Sequence, residues 1–248
     1  MNRTFLYGSH KILGAKFVNF SGWEMPIHYG SQINEHNCVR NDLGIFDVSH
    51  MNIFDFEGTE AQKFLRYVLT NDVGKVENSC ALYSVITNEK GGIIDDLIVY
   101  KFNNENFRVV SNCSTFENVK AFFEHNIKRF DCELIHQSNL GILAIQGPKS
   151  ETSIESMLGL DLSGCKGFSF IVKNSLFISR TGYTGEDGFE IIGEFEELKK
   201  IWDLCISKNI SPIGLGARDT LRVEAGMNLN GTDMTIENNP FESNLGWV

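Results

Sequence analysis

Two adjacent carboxylates interrupt an apolar run that follows a glycine turn. Residues 88–100 read NEKGGIIDDLIVY, with Asp95 and Asp96 in the middle. Neighbouring side chains on a strand point to opposite faces, so one carboxylate would meet solvent or a turn and the other an apolar pocket. A buried carboxylate is costly or holds a proton through a raised pKa, which is typical of sites that handle protons or cations. Alternatively, both aspartates cap a bulge or turn, and the local pattern does not decide between these readings.

A histidine, two arginines and a glycine-rich segment could also bind a ligand or catalyse a reaction, and each also has a purely structural interpretation. His50, in GIFDVSHM, has no partner at readable spacing, which favours a packed and hydrogen-bonded histidine over a base or ligand. Arg218 and Arg222 lie four residues apart on a predicted helix, where they could hold a carboxylate or pair with neighbouring acids. Between two predicted strands, TGYTGEDG could bring backbone close to a ligand, although a simple turn is favoured and its acidic pair argues against phosphate binding.

Two successive series of predicted strands and helices position these residues. From Met51 to His136 the pattern predicts a split βαββαβ unit with one extra strand, whose central hairpin would place Tyr83 and Asp96 in one sheet. From Leu140 a second series of strands begins, followed by an amphipathic helix near residues 195–208.

Composition narrows the class of function. The 248 residues are 42% hydrophobic and 22% charged, as in a globular protein of one large or two ordinary domains. The net charge of -10 argues against nucleic-acid binding. Six cysteines without a CxxC motif argue against disulfide frameworks and metal sites. With no signal-peptide pattern and no long apolar run, we expect a cytoplasmic protein without a membrane segment.

Five strings of the chain resemble the aminomethyltransferase, or T-protein, family of the glycine cleavage system, within the folate-binding superfamily. They are GWEMPIHYG, GIFDVSHM, ALYSVITNEKGGIIDDLIVY, TGYTGEDGFEI and GLGARDTLRVEAGMNLNG. The resemblance covers residues 20–248 and implies an α+β cloverleaf-type folate-binding fold. Residues 1–50 and 140–248 would form a discontinuous first domain, and residues 51–139 a ferredoxin-like second domain. The family's third domain, a small C-terminal barrel, has no counterpart in the chain, so exposed apolar surface is expected.

The resemblance implies a one-carbon transfer. Family members pass an aminomethyl-derived carbon from the lipoyl arm of the H-protein to tetrahydrofolate, releasing ammonia and forming 5,10-methylene-tetrahydrofolate. The expected partners are the lipoylated H-protein and, indirectly, the P- and L-proteins, with tetrahydrofolate as acceptor co-substrate and no metal. Two alternatives stay open: another tetrahydrofolate-dependent demethylase or one-carbon transferase on this fold, or a truncated, non-catalytic folate-binding protein.

The resemblance also assigns roles to single residues. Asp96 matches the family's catalytic carboxylate, Glu190 the residue that hydrogen-bonds the pterin ring, and Arg218 another ligand-contacting position. Five further residues lie in strings that border the family's folate channel: Met51, Tyr83, Tyr100, Asn112 and Tyr183.

Overall fold

The computed structural model describes all residues, 1–248, as a chain of mixed helices and strands. The α-helices are α1 (Tyr7–Ile12), α2 (Gln32–Asn41), α3 (Ala61–Val68), α4 (Phe116–Asn126), α5 (Ser150–Leu158), α6 (Phe195–Ser207) and α7 (Leu215–Glu224). The strands are β1 (Lys16–Phe20), β2 (Trp23–His28), β3 (Gly44–Asp47), β4 (Asn52–Glu57), β5 (Cys80–Thr87), β6 (Ile93–Lys101), β7 (Asn106–Ser111), β8 (Glu133–His136), β9 (Leu140–Gln146), β10 (Phe170–Lys173), β11 (Leu176–Ser179), β12 (Gly188–Glu194) and β13 (Ser211–Pro212). None of the helices has the length and apolar content required to span a bilayer.

The first compact unit consists of Met1–His50 and Asn139–Met227. Its six-stranded sheet has the order β10-β11-β12-β9-β3-β13, antiparallel except for the short parallel pair of β3 with β13. The central strand β9 is buried from Gly141 to Gln146, and its residues before Gln146 are all apolar. Helix α6 buries Leu198, Ile201, Trp202 and Cys205 against this sheet, as its helical spacing predicts.

The second compact unit consists of Met51–Ser138 and Asn228–Val248. Its sheet has the order β5-β6-β7-β4-β8 and is antiparallel throughout. Helices α3 and α4 cover one face, where Phe64 and Phe123 contact Phe54 and Phe56 of β4 in a cluster of aromatic rings. The order of elements is the one that the sequence predicts.

The last 21 residues group with the second unit. Met234 and Leu245 pack on Val85 and Ile93 of the β5–β6 hairpin, and the Ile93 amide donates to the Asn238 carbonyl oxygen at 3.0 Å. The predicted division places residues 140–248 in the first domain. In the structure, residues 228–248 group with the second unit instead, because their apolar side chains pack on this hairpin. The division into folding domains itself stays a prediction.

Candidate active-site residues

Strand β6 presents Asp95 and Asp96 to opposite faces of the second unit's sheet. Asp95 is opposite Ile86 and is fully buried on the face that packs against α3 and α4. Asp96 is opposite Val85, on the face where residues 228–248 pack, and is only partly buried. The sequence predicts one carboxylate in an apolar pocket, and the structure places Asp95 there.

One amide joins the two carboxylates. Asn112 follows the last residue of β7, and its Nδ2 donates to Asp95 Oδ1 and to Asp96 Oδ1, each at 2.8 Å. Its backbone N–H donates to Asp95 Oδ2 at 3.1 Å. The pairing of β6 with β7 ends at Leu97 and Ser111, so the side chain of the next residue, Asn112, reaches both acids just beyond that end. The two carboxylates are therefore held in a fixed relation to each other.

Burial and charge separate the acidities of the pair. Burial and the neighbouring Asp96 charge raise the pKa of Asp95 to about 8. Burial also raises the pKa of Asp96, to about 6, although hydrogen bonds from Tyr83 and Asn112 oppose that rise. Burial therefore makes both carboxyl groups weaker acids than a free aspartate, and the two titrate as a coupled pair.

An aromatic pair lies beside Asp96. Tyr83 donates its hydroxyl to Asp96 Oδ2 at 3.1 Å, and its ring stacks on Trp247 with centroids 5.5 Å apart. Asp96 is thus an oriented, partly exposed carboxylate, whereas Asp95 is enclosed by donors. Of the two carboxylates, Asp96 is therefore the one more accessible to a ligand.

The other two predicted residues of this unit are less informative. Met51 is half-buried just before β4. Tyr100, opposite Ala81 and Arg108 in the sheet, is only 1% exposed. Its ring offers no open face for stacking in this structure, and its place in a folate channel stays a prediction.

In the first unit, strand β12 carries Glu190, whose neighbours fix one of its oxygens. The Thr181 hydroxyl donates to Glu190 Oε2 at 2.6 Å, and Thr181 also shares a 2.9 Å hydrogen bond with Ser179. Glu190 is itself partly exposed. The Thr181 hydroxyl therefore fixes the orientation of the Glu190 carboxylate through Oε2.

The segment 181–188, here called the glycine loop, is held from within the sheet. Gln146 donates to the Thr181 carbonyl at 3.0 Å and accepts from the Thr184 hydroxyl at 2.8 Å. Side chains at Gly182 or Gly188 would overlap this buried amide. The loop therefore does more than join two strands, because its glycines allow a close fit around Gln146.

The acidic pair of the loop is neutralised by two arginines. Glu186 pairs with Arg40 at 3.0 Å, and Asp187 pairs with Arg180 at 2.6 Å. These acids therefore anchor the loop to its surroundings.

Helix α7 presents the two arginines of the ARDTLR string differently. Arg218 lies over the Tyr183 ring, 4.6 Å from the centroid, in a cation–π contact. Arg222 is buried, donates to Asp219 at 2.9 Å and donates to the Met227 carbonyl at 3.1 Å. Of the two, Arg218 is the partly exposed residue next to an aromatic ring, and Arg222 stabilises the end of the helix.

His50 is packed, as the sequence favours, but its Nδ1 lacks the expected hydrogen bond. The ring is 4% exposed, meets Phe20 edge-on at 5.5 Å, and leaves Nδ1 without a partner in the chain. Burial, followed by the positive charge of Arg218, lowers the pKa of His50 to about 4. His50 is therefore a neutral imidazole at physiological pH.

The predicted site residues thus fall into two groups, one in each unit. Tyr83, Asp96 and Asn112 are in direct contact in the second unit, which also contains Met51 and Tyr100. Tyr183 and Arg218 are in contact in the first unit, which also contains Glu190. The motifs gave no signal for Arg40 or Gln146, because their partners in the glycine loop are distant in sequence.

Comparisons with known proteins agree with one another. A family model described as the GCVT N-terminal domain matches residues 6–248. An aminomethyltransferase from Francisella tularensis subsp. tularensis is 49% identical over 251 residues, covering 100% of this chain and 70% of the relative. One from Francisella philomiragia is 47% identical with the same coverage. A crystal structure of glycine cleavage system aminomethyltransferase T from Bartonella henselae superposes with a TM-score of 0.95 at 34% identity, over 99% of this chain and 68% of that chain.

Proposed function

The chain belongs to the aminomethyltransferase family of the glycine cleavage system, and from this premise we propose that it carries out the family's one-carbon transfer to tetrahydrofolate. The carbon would come from the aminomethyl group on the lipoyl arm of the H-protein. Ammonia would leave, and 5,10-methylene-tetrahydrofolate would form. The observation that carries the proposal is the Asp95–Asp96 pair, in which one partly exposed carboxylate is held by Asn112 and Tyr83.

The residues of the first unit fit the chemistry of a pterin. A pterin presents an amide-like N–H and an exocyclic amine as parallel donors, and a carboxylate such as Glu190 accepts from both. The Thr181 hydroxyl fixes the orientation of that carboxylate. The Tyr183 ring and the Arg218 guanidinium offer flat surfaces for an aromatic ligand. Glu190, Arg218 and Tyr183 are therefore the residues to which we assign folate binding in this unit.

Asp96 has the properties that the transfer demands of a base. Its pKa is raised less than that of Asp95, because the Tyr83 hydroxyl and the Asn112 amide donate to its charged form. An ionised carboxylate stabilises positive charge that develops as the amine leaves, or takes a proton from the attacking nitrogen. Asn112 and Tyr83 keep it oriented without neutralising it. Tetrahydrofolate, when bound, supplies the nitrogen nucleophiles that accept the carbon.

Replacing Asp96 with Asn tests this role. Asp96→Asn keeps the shape of the side chain but removes its charge and basicity, so turnover falls by about 10²-fold or more. The measurement is tetrahydrofolate-dependent ammonia release from aminomethylated H-protein. Asp203→Asn, an exposed change on α6, serves as control and leaves the rate unchanged.

Two results would contradict the proposal. Full activity in Asp96→Asn would remove Asp96 from the mechanism. Methyl transfer from a small methylated substrate to tetrahydrofolate, without any lipoyl protein, would instead identify a folate-dependent demethylase.

A further inference from the structure

Arg40, near the end of α2, donates hydrogen bonds from all three guanidinium nitrogens to two elements far away in sequence. Nη1 donates to the Thr184 carbonyl at 2.6 Å and to Glu186 Oε1 at 3.0 Å, both in the glycine loop. Nη2 donates to the Leu221 carbonyl at 3.2 Å and to Glu224 Oε2 at 2.9 Å, both in α7, and Nε donates to the same Glu224 oxygen at 3.1 Å. One side chain therefore joins the loop to the helix.

The contacts of Arg40 have the geometry of a fixed clamp. The Arg40 side chain is 21% exposed and Glu186 is 27% exposed, so this pair is better shielded from solvent than a typical surface ion pair. Two backbone carbonyls are among the acceptors, and Leu221 lies in the last turn of α7, where a cation interacts favourably with the helix dipole. A planar, five-donor guanidinium can satisfy all of these acceptors at once, whereas an ammonium group cannot.

The glycine loop and α7, which Arg40 joins, carry the two residues of the cation–π contact, Tyr183 and Arg218. Tyr183 immediately precedes Thr184 in the loop, and Arg218 lies one helical turn before Leu221 in α7. Close packing supports the same junction, because a side chain at Gly185 would meet the Ala225 methyl group at 2.9 Å. The position of the Tyr183 ring under Arg218 therefore depends on how Arg40 holds the glycine loop against α7.

We propose that Arg40 is a positioning residue for ligand binding: it locks the glycine loop onto α7 and so sets the Tyr183–Arg218 surface on which a flat heteroaromatic ligand lies. Arg40 itself acts through Tyr183 and Arg218. The choice of a pterin as that ligand rests on the proposed function, but the clamp does not.

The test combines a ligand-free measurement with a binding measurement. In Arg40→Gln, hydrogen–deuterium exchange of residues 181–188 rises by about tenfold or more, because several charge-assisted hydrogen bonds are lost. The Kd for tetrahydrofolate rises by about tenfold in the same variant. In a Tyr183→Leu background, the further loss on Arg40→Gln is less than about twofold, because the surface that Arg40 positions is already gone. Arg40→Lys gives intermediate values, and it replaces Arg40→Gln if the latter does not fold.

Arg108→Gln is the matched control. Arg108 makes a similarly shielded bidentate pair with Asp55 in the other unit, with both distances 2.8 Å. Its loss lowers the thermal unfolding midpoint as the loss of Arg40 does, but leaves both the exchange of residues 181–188 and the Kd unchanged.

Each outcome has a distinct meaning. Unchanged exchange of the loop in Arg40→Gln overturns the clamp, whatever the ligand. A looser loop with an unchanged Kd, or with an equal loss of affinity in the Tyr183→Leu background, overturns the positioning role. A looser loop in a folded chain that binds no tetrahydrofolate even with Arg40 intact upholds the clamp and counts against the proposed function instead.

Discussion

At the scale of single residues, the two aspartates acquire different properties from the same strand. Asp95 points into the helix-covered core and is raised in pKa by burial and by its neighbour, whereas Asp96 points to the other face and keeps a hydrogen bond from Tyr83. Because Asn112 donates to both, they behave as one titrating pair. Any activity that needs Asp96 as a carboxylate is therefore lost as the pH falls through the raised pKa of Asp96.

Tyr83→Phe tests how the pair is tuned. The Tyr83 hydroxyl stabilises the charged form of Asp96 and so lowers its pKa; removing the hydroxyl raises that pKa further. The acidic limb of the pH profile of kcat therefore moves to higher pH. Tyr67→Phe, at a tyrosine that is 56% exposed, leaves the limb in place. A limb that stays fixed or moves to lower pH in Tyr83→Phe would show that Asp96 does not control it.

Sequence reasoning reached only part of this residue-level picture. Strand alternation predicts that the aspartates differ in environment, and this is confirmed, but it does not say which one enters the core. That choice depends on the pairing of Asp95 with Ile86. The sequence likewise does not predict that His50 Nδ1 lacks a hydrogen-bond partner. A spacing pattern indicates whether a side chain is packed, but not where its polar atoms point.

At the scale of elements, the glycine loop is an assembled part of the first unit. Gln146 occupies its interior, and Arg40 and Arg180 hold its two acids. The sequence favours a plain turn there because the glycines alone are compatible with one. Gln146 and Arg40, which distinguish the two cases, are 35 and 146 residues away from their partners in the loop, where local pattern carries no information. In contrast, α6 and the β5–β6 hairpin followed from periodicity and turn glycines.

Gly188→Ala tests the fit of the loop. An added methyl group would overlap the Gln146 amide and press on the Ile145 carbonyl, so the free energy of unfolding falls by about 1–3 kcal/mol. Chemical denaturation measures the change. Gly164→Ala is the control, because open space surrounds that position, and it changes stability by about 0.5 kcal/mol at most. Equal stability of the Gly188 variant and the control would mean that the packing around Gln146 is loose.

At the scale of the whole molecule, net charge and exposed apolar side chains have opposite effects on self-association. The net charge of -10 keeps copies of the chain apart. Residues 228–248 nevertheless expose large apolar side chains, with Phe241 81%, Trp247 65% and Ile236 58% exposed. Exposed apolar side chains are thus found in the segment that packs on the β5–β6 hairpin, and also at Ile12 and Ile33 in other segments.

Self-association should follow from this balance. Raising the salt concentration screens the repulsion but not the apolar attraction, so sedimentation velocity should show association that increases with salt. The double variant Ile236→Ser/Phe241→Ser weakens the association by about tenfold. Ile12→Ser, at an 87% exposed residue of α1, serves as control. Association that weakens with salt would instead point to ion pairs.

We propose that this chain binds a reduced folate through Glu190, and an equilibrium titration with tetrahydrofolate tests this binding most directly. Followed by intrinsic fluorescence, the 248-residue chain should bind with a micromolar Kd, about -8 kcal/mol. Glu190→Gln should weaken binding about tenfold or more, while Glu194→Gln, at the exposed end of the same strand, should not. The absence of binding by a demonstrably folded chain, or equal affinity in Glu190→Gln, would contradict the account.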